Sequence, residues 1–179
     1  MSTGNQLTMM AVENVETPDF HKLSGEWTLW VHLPHNSDWS IKSYDKISTF
    51  DTVEVAIAIT KTVPEIMTTN CMLFLMRKGV APMWEDPKNR NGGCFAYKVM
   101  NKSVYSLWKE LSFCLVGNTL STNAEFLSSI TGITVSPKRG FCIFKIWMTS
   151  CKFQNPAIVT ADIKNLVPQG CIFKKHGAN

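Results

Sequence analysis

Trp39 and Trp84 are the residues whose placement most suggests chemistry. Each stands in a polar stretch, Asn36-Ser-Asp-Trp39-Ser40 and Pro82-Met-Trp84-Glu85-Asp86. An indole so placed is either a lid on the core or a platform for a flat ligand, and residue type alone leaves the two readings even. Glu85 tips the balance toward a platform. A carboxylate beside an aromatic face can accept hydrogen bonds from the ring N–H and exocyclic amine of a guanine edge, in charge-assisted contacts stronger than neutral ones. If that guanine is methylated it carries a delocalised positive charge. Stacking between two indoles then adds cation–π attraction of about 0.5–2 kcal/mol per contact, and the same carboxylate attracts the cation again. Trp147, within an alternating run, would add apolar contact to the methyl, although core packing reads at least as well for it. The other three tryptophans, Trp27, Trp30 and Trp108, read as core.

These residues need a frame. Residues 26–33 alternate Trp27, Leu29, Val31 and Leu33 with Thr28, Trp30 and His32, the period of a strand with one packed face. A second short strand is predicted near 44–48. Asp51-Thr-Val-Glu54 resembles a capping box opening a helix that runs to about Thr62 and stops at Pro64. Residues 71–77 read as a buried strand and 94–100 as another, with the Trp84 loop between them. The clearest helix spans 103–116, with Leu107, Trp108, Leu111, Cys114 and Leu115 at helical spacing and Gly117 as its stop. A shorter helix is predicted over 124–130. Strands at 133–136 and 141–149 flank the basic turn Pro137-Lys-Arg-Gly140, and a further helix is expected over 157–166 before a last strand at 171–174. Strands joined by hairpin signals and interspersed with helices make an α+β fold, an antiparallel sheet with helices on one face.

Composition narrows the function classes. A chain of 179 residues suits one domain. The six cysteines form no CxxC pair and no His/Cys cluster, which argues against zinc and for buried thiols in a reducing compartment. No apolar run approaches the roughly 18 residues of a membrane span, so a soluble, cytoplasmic protein is expected. Net charge is +4, unevenly spread: residues 1–60 hold three Lys against eight acids, whereas from Lys138 onward seven basic residues face Asp162 alone. This bias suggests an anionic partner, with a solvated basic face as the equally good alternative. Catalysis finds little support. His21, His32, His35 and His176 lack metal-type spacing, and no cysteine has a visible base. Glu85 and Asp86 could be imagined as the acid/base pair of a cap hydrolase, but adjacent residues usually point apart. A sequence-tolerant single-strand binder is a further alternative.

Several segments resemble the translation initiation factor 4E family in order and spacing. They are Trp27-Thr-Leu-Trp30, Phe50-Asp-Thr-Val-Glu54, Pro82-Met-Trp-Glu-Asp86 with Asn89 and Gly92-Gly93, Trp108-Lys-Glu with Cys114-Leu-Val-Gly117, and Ile146-Trp147 with Thr149 and Cys151. The Pro-Met-Trp-Glu-Asp run with its downstream Asn and Gly-Gly is the specific piece. Residues 1–22, polar, aperiodic and containing Pro18, read as a flexible arm, and the resemblance, from His21 to the C-terminus, implies a single cap-binding domain over 23–179. That domain would be a curved antiparallel sheet with three helices on its convex face and a slot for the 7-methylguanosine cap of mRNA on its concave side. It implies a monomeric, non-catalytic binder without cofactor. Trp39 and Trp84 would be the stacking pair, Glu85 the guanine-edge acceptor and Trp147 the methyl contact, with Lys138, Arg139 and Lys145 at the phosphates. Where the family usually has an Arg after the Gly-Gly, this chain has Cys94.

The convex face would receive a helical peptide from the scaffold factor 4G, or from an inhibitor copying it, at His21, Val53, Ile57, Trp108 and Lys109. Ile57 stands where the family has a Trp, and Lys109 where it has a Leu. An indole exchanged for Ile removes contact area, and a Lys head in a dry groove is costly unless it snorkels out. Weakened or retuned scaffold binding is therefore expected. The alternative role is that of a cap-binding repressor or decoy.

Overall fold

A computed structural model describes residues 19–177. The arm expected over residues 1–22 lies, for residues 1–18, outside the described residues. Seven strands form one curved antiparallel sheet in the order β2-β1-β3-β5-β6-β4-β7. They are β1 (Lys22–His32), β2 (Tyr44–Thr52), β3 (Met72–Arg77), β4 (Gly93–Met100), β5 (Ile130–Pro137), β6 (Phe141–Met148) and β7 (Cys171–Lys175). Four helices accompany them: α1 (Val53–Thr62), α2 (Glu65–Asn70), α3 (Asn101–Val116) and α4 (Ala124–Ser129).

Strand alternation divides the apolar residues between two faces. Trp27, Leu29 and Val31 of β1, Leu73 and Leu75 of β3, and Phe144 and Ile146 of β6 join the main core with Leu107, Trp108 and Leu111 of α3. Residues of opposite parity, Phe74, Met76, Cys94 and Trp147, form a smaller cluster with Tyr44 and Val80 on the other face. Met72–Arg77 thus reads as a continuous apolar run because β3, between β1 and β5, is covered on both sides. Gly132 of β5 is required here: a Cβ on it would lie 2.5 Å from the Met76 Sδ. Leu33, expected to continue the packed face of β1, lies past the strand end and is exposed.

Three local expectations need correction. The capping box does not form. The backbone stays extended through Thr52, which is the N-cap of α1 without a side-chain bond. Asp51 instead pairs with the Lys22 Nζ at 2.7 Å, and Glu54 accepts from the His21 backbone N–H at 3.1 Å. Pro64 ends α1 but also serves as the N-cap of α2, a helix the sequence reading missed. Residues 157–166 are not a helix beyond a single 3₁₀ turn at Pro156–Ile158. Buried Val159, Ile163 and Leu166 imitate helical spacing. The residues between them bond outward instead: the Thr160 and Ala161 N–H groups both donate to the Leu120 carbonyl at 3.1 and 3.2 Å, and the Thr160 Oγ1 accepts from the Thr122 N–H at 3.0 Å. The three helices packed together behind the sheet are therefore α1, α2 and α3.

Candidate functional site

The face away from the helices gathers the loop residues. In the connection between β1 and β2, Asp38 organises the chain by accepting from the Ser40 N–H and Oγ at 2.8 Å each, bonds that hold its carboxyl below the usual carboxylate range. His32, at the end of β1, donates from Nε2 to the Asp38 carbonyl at 2.9 Å. That bond seats the imidazole parallel to Trp39, with centroids 4.3 Å apart and planes at 3°. One face of the Trp39 indole is thus backed by His32, and the residue remains 55% exposed. His32 in turn meets Tyr44 edge-on at 5.0 Å, and Tyr44 meets Phe74 at 5.3 Å, tying the loop to the smaller cluster.

Between β3 and β4 the chain crosses the same face. Both Asp86 carboxylate oxygens are engaged, accepting from the Ala81 and Lys88 N–H groups at 2.8 Å each. Fully buried Asn89 donates from Nδ2 to the Met83 carbonyl at 2.9 Å. These bonds clamp the loop around Trp84, which is 47% exposed. They also give Asp86 a structural task in place of the acid/base role imagined for it. Glu85 is exposed. Burial, and after it the Glu85 charge, pushes the Tyr44 hydroxyl above its ordinary value, so this carboxylate acts within the neighbourhood that anchors Trp39.

Trp147 of β6 lies on this face at 7% exposure, its indole N–H donating to the Thr134 Oγ1 at 3.2 Å. A residue the sequence reading left unused sits beside it. The His176 ring packs on Trp147 with centroids 4.6 Å apart, donates from Nδ1 to the Asn89 carbonyl at 2.7 Å, and has a buried Nε2 without a hydrogen-bond partner among the described residues. Burial lowers its pKa, outweighing the opposing effect of the Asn89 bond, with Lys145 lowering it further. Next to it, Gly177 at φ +67° would bring a Cβ within 3.0 Å of the Trp84 Cζ3, so the glycine permits the indole to lie against the backbone. Nothing in the residue types near position 176 signals this packing.

Of the phosphate candidates, Lys145 lies with its Nζ 5.9 Å from the Trp147 ring centroid. Lys138 and Arg139 are exposed in the turn between β5 and β6, at the opposite end of β6 from Trp147. All six cysteines are free, three buried and three half-buried. Among the described residues no cluster of His, Cys, Asp or Glu could hold a metal, and no helix is long and apolar enough to cross a membrane.

The helical side offers a different feature. A groove of about 370 Å³ is lined by Leu23, Val53, Ala56, Ile57, Lys61, Phe113, Val116 and Gly117. Val53 and Ile57 are exposed on it as expected, and His21 closes the adjacent chain entry, its Nδ1 bonding to the Glu54 Oε1 at 2.6 Å. Trp108 is not a surface contact: at 1% exposure it belongs to the core and holds α3 against the sheet. Phe113 and Val116 supply the α3 wall instead. Lys109 does not line the groove either, since its ammonium lies 4.1 Å over the Tyr105 ring one turn earlier.

Comparison with known proteins agrees with this architecture. Over 137 residues the chain is 32% identical to eukaryotic translation initiation factor 4E-2 of Schizosaccharomyces pombe, covering 73% of this chain and 55% of that protein. The human eukaryotic translation initiation factor 4E is 28% identical over 147 residues, 79% of this chain and 66% of its own. The chain thus spans little more than half of the fission yeast relative. Schistosome eIF4E, solved in complex with m7GpppG and 4E-BP, superposes with a TM-score of 0.67 at 28% identity, covering 74% of each chain. Ascaris suum eIF4E-3, solved with m7G cap, reaches 0.75 over 90% of this chain and 94% of its own at 21% identity, a likeness of fold. The family model described as eukaryotic initiation factor 4E matches residues 22–175, and the chain belongs to that family.

Proposed function

We propose that the protein binds the 7-methylguanosine cap of mRNA on its concave face, as a factor for translation initiation. The reading rests on two half-exposed indoles on separate loops, Trp39 stacked on His32 and Trp84 lying against Gly177, the neighbour of the His176 that packs on Trp147, with Glu85 next to Trp84 and its charge acting on Tyr44 of the smaller cluster. Trp39, backed by His32, and Trp84, clamped by Asp86 and Asn89, stack on the two faces of the base. Glu85 accepts from its N1–H and amino group, and Trp147 takes the methyl. Family membership supports this reading, because initiation factor 4E proteins are cap binders and not enzymes. Fluorescence titration tests it: quenching by m7GTP but far less by GTP is expected, with the m7GTP response lost in Trp84→Ala and Glu85→Ala. Equal affinity for the two nucleotides would refute it.

The convex groove takes an apolar helical peptide of the 4G or inhibitor kind. Ile57 in place of an indole favours a second role, a cap-binding repressor that recruits the scaffold weakly, whereas Lys109, resting on Tyr105 outside the groove, carries no weight for it. Calorimetry with a scaffold-derived peptide separates the two, because tight binding excludes the repressor.

A further inference from the structure

The strand register places Trp147 of β6, Cys94 of β4 and Lys174 of β7 in one row across the sheet, with Lys145, Ala96 and Ile172 in the next. Directly paired residues point to the same face, and Cys94 and Trp147 belong to the cluster on the concave side. Lys174 therefore extends from that face as well, two strands from Trp147, or about 10 Å at the usual strand spacing. By register Cys94 has Lys174 paired with it on β7 and Lys145 diagonal to it on β6, and both lysines act electrostatically on its thiol, whose pKa burial nonetheless raises, so a neutral, small residue stands between the two basic positions. The four ion pairs among the described residues are His21 with Glu54, Lys22 with Asp51, Lys78 with Glu26 and Lys152 with Glu125, and neither lysine takes part. Two neighbouring cations with no carboxylate between them repel one another, and an anion between them removes that cost.

Distance decides which basic residues meet a ligand first. From Trp147 to the turn at Gly140 β6 runs seven residues, about 23 Å at the rise of an extended strand. Lys138 and Arg139 thus stand much farther from the base site than Lys145 and Lys174. We infer that Lys174, from the edge strand, and Lys145 clasp the phosphate nearest the nucleoside across the uncharged floor of Cys94, leaving Lys138 and Arg139 for more distal phosphates. This assignment rests on the cap reading above.

Dissociation constants for 7-methylguanosine, m7GMP and m7GTP, measured at two salt concentrations, test it. Lys174→Gln is expected to weaken m7GMP and m7GTP about tenfold, the size of one charge-assisted contact, and to flatten their salt dependence, with the uncharged nucleoside unaffected. Lys138→Gln with Arg139→Gln should weaken m7GTP and spare m7GMP. Cys94→Arg added to Lys174→Gln should restore m7GMP binding. A wild-type phosphate increment in Lys174→Gln, or equal losses for nucleoside and nucleotide, overturns the inference while leaving cap binding standing. Wild-type protein that fails to prefer the methylated nucleoside sinks the cap reading itself.

Discussion

The two faces of the sheet are built in opposite ways. On the concave side the rings are locked by polar bonds: on two loops His32 bonds to Asp38 behind Trp39 and Asp86 and Asn89 hold the chain around Trp84, while Trp147 of β6 rests on Thr134. On the convex side the groove is made by regular helices, with apolar walls and few polar anchors. A flat cationic base needs donors, acceptors and rings at fixed angles, so residue identity matters at each position. An apolar helix needs mainly area, so Ile57 reduces what the groove offers by the area an indole would add, while Phe113 and Val116 supply its α3 wall.

That contrast can be broken by mutation. The largest effect is expected at neither surface: Trp108→Ala should cost about 3–5 kcal/mol of stability, as a large buried aromatic does. Urea unfolding checks this, and a loss confined to peptide binding would return Trp108 to the interface. Glu85→Ala should lower m7GTP affinity by about 2–3 kcal/mol, the range for a hydrogen-bonded charge, and leave peptide binding on the helices unchanged. Coupled losses in calorimetry would mean the faces are not independent. Ile57→Trp should tighten a scaffold-type peptide by about 1–2 kcal/mol through added apolar area, without altering cap titrations. Lys109→Leu should change peptide affinity by less than about 0.5 kcal/mol, because its ammonium already rests on Tyr105.

A last effect, gradual rather than stepwise, concerns His176. Its folded pKa is depressed by burial below the ordinary 6.5. The native state therefore holds fewer protons than the unfolded chain between those two values, and stability falls as pH drops below about 6.5 toward the folded value. The slope is at most about 1.4 kcal/mol per pH unit. Thermal melts from pH 8 to 5 should show this decline, shallower in His176→Phe. An identical decline in both would place the titration elsewhere.

Much of the frame was legible because the apolar pattern has a period. The helix now seen at Asn101–Val116 buries Leu107, Trp108, Leu111 and Leu115 as their spacing nominated, with Cys114 half-buried, and the strands Gly93–Met100 and Phe141–Met148 pair where runs were read. The failures share a cause. Residues 157–166 carry helical spacing, yet the N–H groups of Thr160 and Ala161 go to Leu120, a partner more than thirty residues away. Trp108 looked available because a tryptophan on a helix face is apolar whether it meets a sheet or a partner.

Residue types and local order by themselves determined the chemistry on offer: two indoles in polar loops, a carboxylate beside one of them, and a third tryptophan on a strand near basic residues. They determined the alternation that separates the two faces of the sheet, because side-chain direction in a strand follows from backbone geometry alone. Only the tertiary structure decided which groups meet. Backing Trp39 with His32, bringing Glu85 toward Tyr44, laying His176 on Trp147 and setting Lys174 beside Cys94 all depend on strand order and loop crossing. Those are settled by the packing of the whole chain, which no local run of residues contains.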